Sequence, residues 1–142
     1  MAASIDPLFA IVPRHGTALL GTRDTTALPT GLTTTPANVS TIITGVAAGT
    51  KITSVVFKGC GVTAAGVINL FVYDSTTYAL FDQIYVDAIT ATNILPAFRL
   101  QKTYTDLDLP TASWSLRATH TCAAATNDSI LRVQAFGADY TA

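Results

Sequence analysis

The 142-residue sequence predicts an all-β fold: an antiparallel β-sandwich, jelly-roll-like, with an extended N-terminal arm. Two observations carry the sandwich. Runs rich in β-branched and aromatic residues recur between turn signals about every ten residues, and no stretch keeps a helical period convincingly. A third carries the arm: across residues 1 to 37, Pro7, Pro13, Pro29 and Pro36 alternate with Gly16, Gly21 and Gly31, so neither periodicity survives for long. The expected organisation is therefore an extended arm over 1–37 and a single β-sandwich domain over 38–142.

Within the arm only LFAIV (8–12) and TALL (17–20) have strand character. A long irregular segment this apolar is expected to bury its side chains in a neighbouring subunit, which makes Leu8, Phe9, Ile11, Leu19 and Leu20 candidate assembly-interface residues. The first core strand falls in 38–47. Residues 51–86 then read as a β-meander of three antiparallel neighbours, 51–61, 67–74 and 78–86, joined by VTAAG and by the turn-forming Asp74, Ser75, Thr76 and Thr77. All three strands are apolar on both faces, more than one sandwich interior is expected to absorb. Residues 94–100 form a short strand whose Pro96 confines it to an edge or bulge, and DLDLP (106–110) reads as a loop. The strand at 113–121 turns Trp114, Leu116 and Ala118 one way and Ser115, Arg117 and Thr119 the other. The last, 129–137, turns Leu131, Val133 and Ala135 inward and Arg132 and Gln134 outward.

Charged residues make up 12% of the chain and hydrophobic ones 49%, against about 25% charged in an average soluble domain. Surplus apolar surface without charge points to self-association. A net charge of −1 and the lack of any Lys/Arg block give no electrostatic case for nucleic acid. Every apolar run is interrupted well before the length of a membrane-spanning helix, and the N-terminus lacks the basic region of a signal peptide. A cytoplasmic origin and no membrane partner are therefore expected.

The residues that could carry chemistry are few. Cys60 and Cys122 belong to no metal-spaced pattern and read as buried free thiols, with a disulfide between them left open. His120 and Cys122 share a strand face but make only two ligands of a zinc site. Asp106 and Asp108 are too few for calcium and read as a solvated loop face. Asp82 is the one acid embedded in an apolar strand, and His15 and His120 have no nucleophile or acid at a telling spacing. No catalytic residue, metal ligand or cofactor-binding residue is assigned, and an enzyme ranks last.

The meander and the strands C-terminal to it carry a resemblance. TAAG (63–66), VINLFVYD (67–74), FDQIYV (81–86), AIT (88–90), WSLRAT (114–119) and FGADY (136–140), together with GTALLGTRDTT (16–26), resemble a group of small virion structural proteins of tailed bacteriophages and gene transfer agents. These serve as capsid decoration or as the base of a head spike or fibre. The sequence departs from the group at Asp74 and Ser75, where a glycine-containing turn is usual. The resemblance implies a non-catalytic cement protein on the head exterior, made in the host cytoplasm. Its implied partners are itself, as a homotrimer, the major capsid protein and a spike or fibre protein. A glycan-binding, receptor-facing role is the alternative, and it requires Tyr73, Tyr78, Tyr85, Tyr104 or Trp114 on a solvent face.

Overall fold

Alternation of apolar and polar side chains, with turn residues between the runs, produces eight strands in the computed structural model, which describes residues 10–24, 36–123 and 131–141. They are β1 (Ala10–Leu20), β2 (Ser40–Thr44), β3 (Thr50–Gly59), β4 (Gly66–Tyr73), β5 (Tyr78–Val86), β6 (Arg99–Leu109), β7 (Ser115–His120) and β8 (Leu131–Tyr140). Among the described residues there is no helix. The strands form two antiparallel four-stranded sheets, β1-β8-β3-β6 (sheet A) and β2-β7-β4-β5 (sheet B). First and last, second and seventh, third and sixth, fourth and fifth are thus neighbours.

One core fills the space between the sheets. Leu131, Val133 and Ala135 of β8, Ile52, Val55 and Phe57 of β3, and Leu107 and Leu109 of β6 face Ile68 and Leu70 of β4, Leu116 and Ala118 of β7, and Ile84 and Val86 of β5. The inward and outward sets expected for β7 and β8 match this arrangement. In β3 a bulge at Thr53 shifts the alternation, so Ile52 and Val55 both reach the core, and the spare Thr53 hydroxyl donates to the Phe136 carbonyl at 3.1 Å. Gly137 accommodates that bulge, because a Cβ there would overlap the Lys51 carbonyl.

Several expectations need correction. The meander does not form: β4 and β5 are a hairpin of sheet B, whereas β3 lies in sheet A between β8 and β6. The segment after Gly59 crosses between the sheets instead of turning back. It is held there by Thr63, whose N–H and C=O bond Ile89 at 2.8 and 3.0 Å and whose hydroxyl donates to the Asp87 carbonyl. Gly66 then lets β4 start against Cys122, where a Cβ would stand 2.8 Å from the backbone.

Residues 10–20, expected within the arm, are the edge strand β1, paired along its length with β8. The DLDLP loop is instead the end of β6, whose strand starts at Arg99 and not at residue 94. Read as a strand, Asp106-Leu107-Asp108-Leu109 has its leucines buried in the core and its aspartates exposed.

The second apolar face of the β4–β5 hairpin is largely covered within the chain. On the outside of sheet B, Phe71 is 1% exposed and Tyr78 is buried. Tyr73 stacks on Tyr78 at 4.2 Å between ring centroids, and the Arg117 guanidinium lies 4.2 Å over the Tyr73 ring while donating to the Tyr78 hydroxyl at 2.9 Å. An arginine with both its charge and its plane engaged shields these rings from water.

Candidate interaction surface

An assembly surface needs apolar groups that the fold leaves uncovered and that no edge strand contributes by accident. The four edge strands are blunted. β1 carries Pro13 and an irregularity at Ala10/Val12, β2 has only five residues, β5 bulges opposite Leu70/Phe71, and β6 bears Arg99, Lys102, Asp106 and Asp108.

Both rims are also tied by polar clasps. At the β5/β6 rim the Asp82 carboxylate accepts from Lys102 Nζ at 2.6 Å and from the Tyr104 hydroxyl at 2.8 Å, while Phe81 packs edge-on to the Tyr104 ring. Burial by itself would raise the Asp82 pKa, but the bonds from Lys102, Tyr104 and the Gln83 N–H outweigh it and hold the carboxyl below its ordinary value. Burial and the same carboxylate push the Tyr104 phenol up. At the β1/β2 rim, Arg14 pairs with Asp139 at 3.2 Å and donates to the Thr44 carbonyl at 2.8 Å, and Asp139 also accepts from Thr50 at 2.6 Å. Asp82 is thereby a rim fastener.

Among the described residues, Val12, Leu19, Val62, Leu80 and Phe136 are exposed at scattered positions, and four further large apolar side chains gather beside the 87–98 connection. Ile94 is 90% exposed, Tyr85 63%, and Leu95 and Leu100 are exposed as well. Tyr85, Leu95 and Leu100 line a cleft of about 560 Å³ with Asp87, Ile89, Pro96, Ala97, Phe98 and Arg99. Its floor is fixed by Phe98, buried, whose carbonyl accepts from the Gly59 N–H at 2.7 Å. Thr92 shapes its outer wall by accepting from the Leu95 N–H through its hydroxyl at 3.0 Å. The volume is within the range of small-ligand and peptide-anchor sites. No family model, curated protein or solved structure matches this chain. The reading of the surface therefore rests on its own geometry.

The residues singled out from sequence are dispersed. Leu8 and Phe9 lie outside the described residues, as does the side chain of Ile11. Leu19 is exposed on β1, but Leu20, 1% exposed, belongs to the chain's own core and is not available to a neighbour. His120 is buried, with Nε2 donating to the Gly21 carbonyl at 2.6 Å and Nδ1 left without a partner. Cys122 is buried and its thiol pKa is raised by that burial, whereas Cys60, expected to be buried, is exposed; both are free thiols. Among the described residues no three His, Cys, Asp or Glu side chains gather as a metal site. Of the aromatics a glycan site requires, Tyr85 is exposed, Tyr73, Tyr104 and Trp114 are half-buried and Tyr78 is buried. The cleft itself is hidden in the sequence because Ile94 and Leu95 read as the start of a strand. Pro96 directly after them, with Thr92 and Asn93 before, is the signal for an exposed apolar loop.

Proposed function

We propose that this chain is a non-catalytic virion structural protein, a jelly-roll module that decorates the outside of an assembled phage head and cements it by bridging subunits. The neighbour pattern of first with last, second with seventh, third with sixth and fourth with fifth strand supports the jelly-roll reading, a fold shared by viral capsid and lectin domains. The observation that carries the docking role is the cluster of exposed apolar side chains at the cleft, Tyr85, Leu95 and Leu100 in its lining and Ile94, 90% exposed, next to Leu95 in the chain. A ligand that binds only the assembled lattice stabilises the assembly by mass action, the mechanism of a cement protein.

The test is cosedimentation of the purified chain with empty phage heads. Ile94→Asp/Leu95→Asp is expected to abolish cosedimentation while leaving the thermal midpoint unchanged, since neither side chain enters the core. Retained cosedimentation by that variant excludes the cleft as the contact. The second reading, a glycan-binding role at the base or receptor-facing part of a head spike or tail fibre, is favoured by one feature. Tyr85 presents an exposed aromatic face beside Asp87 in the same cleft. Glycan-array binding lost in Tyr85→Ala supports it, and an array without hits removes it.

A further inference from the structure

Three of the chain's eight cationic residues meet in one line on the outside of sheet A. Arg132 of β8 stands opposite Lys58 of β3, and Lys58 stands opposite Arg99 of β6. With strands about 4.8 Å apart, the three charges span about 10 Å. Like charges directly opposite one another on neighbouring strands destabilise a sheet. Among the described residues the ion pairs are Arg14–Asp139 and Lys102–Asp82, neither of them in this row, and Arg99 donates to the Gln101 side-chain carbonyl at 3.4 Å. Asp87 lines the cleft with Arg99 without pairing to it. On one side the next two outward rows, Thr17-Gln134-Val56-Gln101 and His15-Phe136-Ser54-Thr103, contain no acid. A charge line that costs the free fold stability is the signature of a site kept for a partner.

We propose that the Arg132-Lys58-Arg99 row is a carboxylate-recognition line that receives an acidic stripe on a partner protein. The inference deepens the docking reading and rests on this face being presented to another protein. Two features select protein over a phosphate or sulfate polymer. The row is short and isolated on a chain of net charge −1, so it cannot track a polyanion backbone. It is also flanked at one end by an exposed apolar group, Leu19 opposite Arg132. Aspartates or glutamates beside an apolar side chain match both, and guanidinium groups favour the planar carboxylate.

The probe is a synthetic peptide carrying three aspartates beside a leucine, titrated into the full chain at about 0.1 M salt, with its asparagine counterpart and duplex DNA as controls. Wild type is expected to bind the aspartate peptide and not the asparagine one. Lys58→Gln/Arg132→Gln is expected to weaken binding on the order of tenfold, from the loss of two exposed ion pairs, and Leu19→Ser to weaken it less. The same double variant should unfold at a higher temperature than wild type at low salt, a difference that vanishes at about 1 M salt where the Debye length is about 3 Å. Absent peptide binding, binding indifferent to the double variant, tighter binding of duplex DNA, or a lowered midpoint in the double variant would each overturn the proposal. Cosedimentation with heads is scored separately. If heads are not bound while the peptide is, lattice docking fails alone; if heads are bound while the row is inert, the carboxylate line fails alone.

Discussion

Replacing Asp82 tests whether the β5/β6 rim is held by a coupled polar unit. Its carboxylate receives Lys102, whose side chain is 39% exposed, and the hydroxyl of half-buried Tyr104. An ion pair that open contributes about 0.5 kcal/mol after solvent screening. The hydroxyl bond to a charged acceptor adds about 1.5 kcal/mol, the lower end for such bonds because the carboxylate is partly solvated. Asp82→Ala should therefore cost about 2 kcal/mol, or roughly 6 °C in Tm at about 3 °C per kcal/mol for a chain of this size. Tyr104→Phe should cost about 1.5 kcal/mol by losing that bond, and the double variant should recover about 1.5 kcal/mol of coupling in urea denaturation.

The pH dependence has the same origin as the shift. The folded pKa of Asp82 lies below its unfolded value of about 3.9, so its contribution is fully present above that pH and is lost as pH falls through the folded pKa. Wild type and Asp82→Ala should thus converge in acid. The raised Tyr104 pKa works at the other end, with stability present below its unfolded pKa of about 10 and lost as pH rises beyond it. Additivity of the two single variants within about 0.3 kcal/mol would refute the clasp.

Further outcomes are equally checkable. Gly137→Ala should destabilise by at least about 3 kcal/mol, because its Cβ would overlap the Lys51 carbonyl and lie 2.9 Å from Ile52 Cα, both backbone of an interior strand; a near-normal urea midpoint would show that the β3 bulge can relax. Leu20→Ala should cost about 2 to 5 kcal/mol as a core truncation, whereas a side chain reserved for a neighbouring subunit would cost little in the isolated chain. Asp139→Ala should cost about 2 kcal/mol by stranding the Thr50 hydroxyl and Arg14, measured by the same denaturation. Alkylation of the native protein should modify Cys60 and spare Cys122 until unfolding, with mass spectrometry after brief labelling as the readout.

Individual strands are legible in the sequence because their signals are local. YALFDQIYV lies between a side-chain-bonded turn at Asp74 and the 87–98 connection, and it forms β5 over the span expected of it. Pairing is not legible, since β3 and β4 are joined by a short connection whether they form a hairpin or cross between sheets. The crossing is decided by Thr63 reaching Ile89 and Asp87, residues more than twenty positions away. Asp106-Leu107-Asp108-Leu109 does carry strand alternation, but the aspartates and the adjoining Pro110 weigh toward a loop. The cation line joins residues 58, 99 and 132, which become neighbours only through the register of three strands. No spacing along the chain contains it.

Placing β8 second in sheet A, between β1 and β3, has a consequence for how the molecule comes into being. β1 pairs with a strand more than a hundred residues downstream, Ala10 against Tyr140. During synthesis β1, β3 and β6 emerge before the strand that joins β1 to the others, so sheet A is completed only after β8 has left the ribosome. Closing so long a loop makes folding slow. While it waits, the chain exposes the bare flanks of β1 and β3, for a time that lengthens as elongation slows. Chaperone demand should therefore fall on the interval before β8 arrives, and a lesion in β8 should surface as aggregation of nascent chains before it registers as a weakened native state.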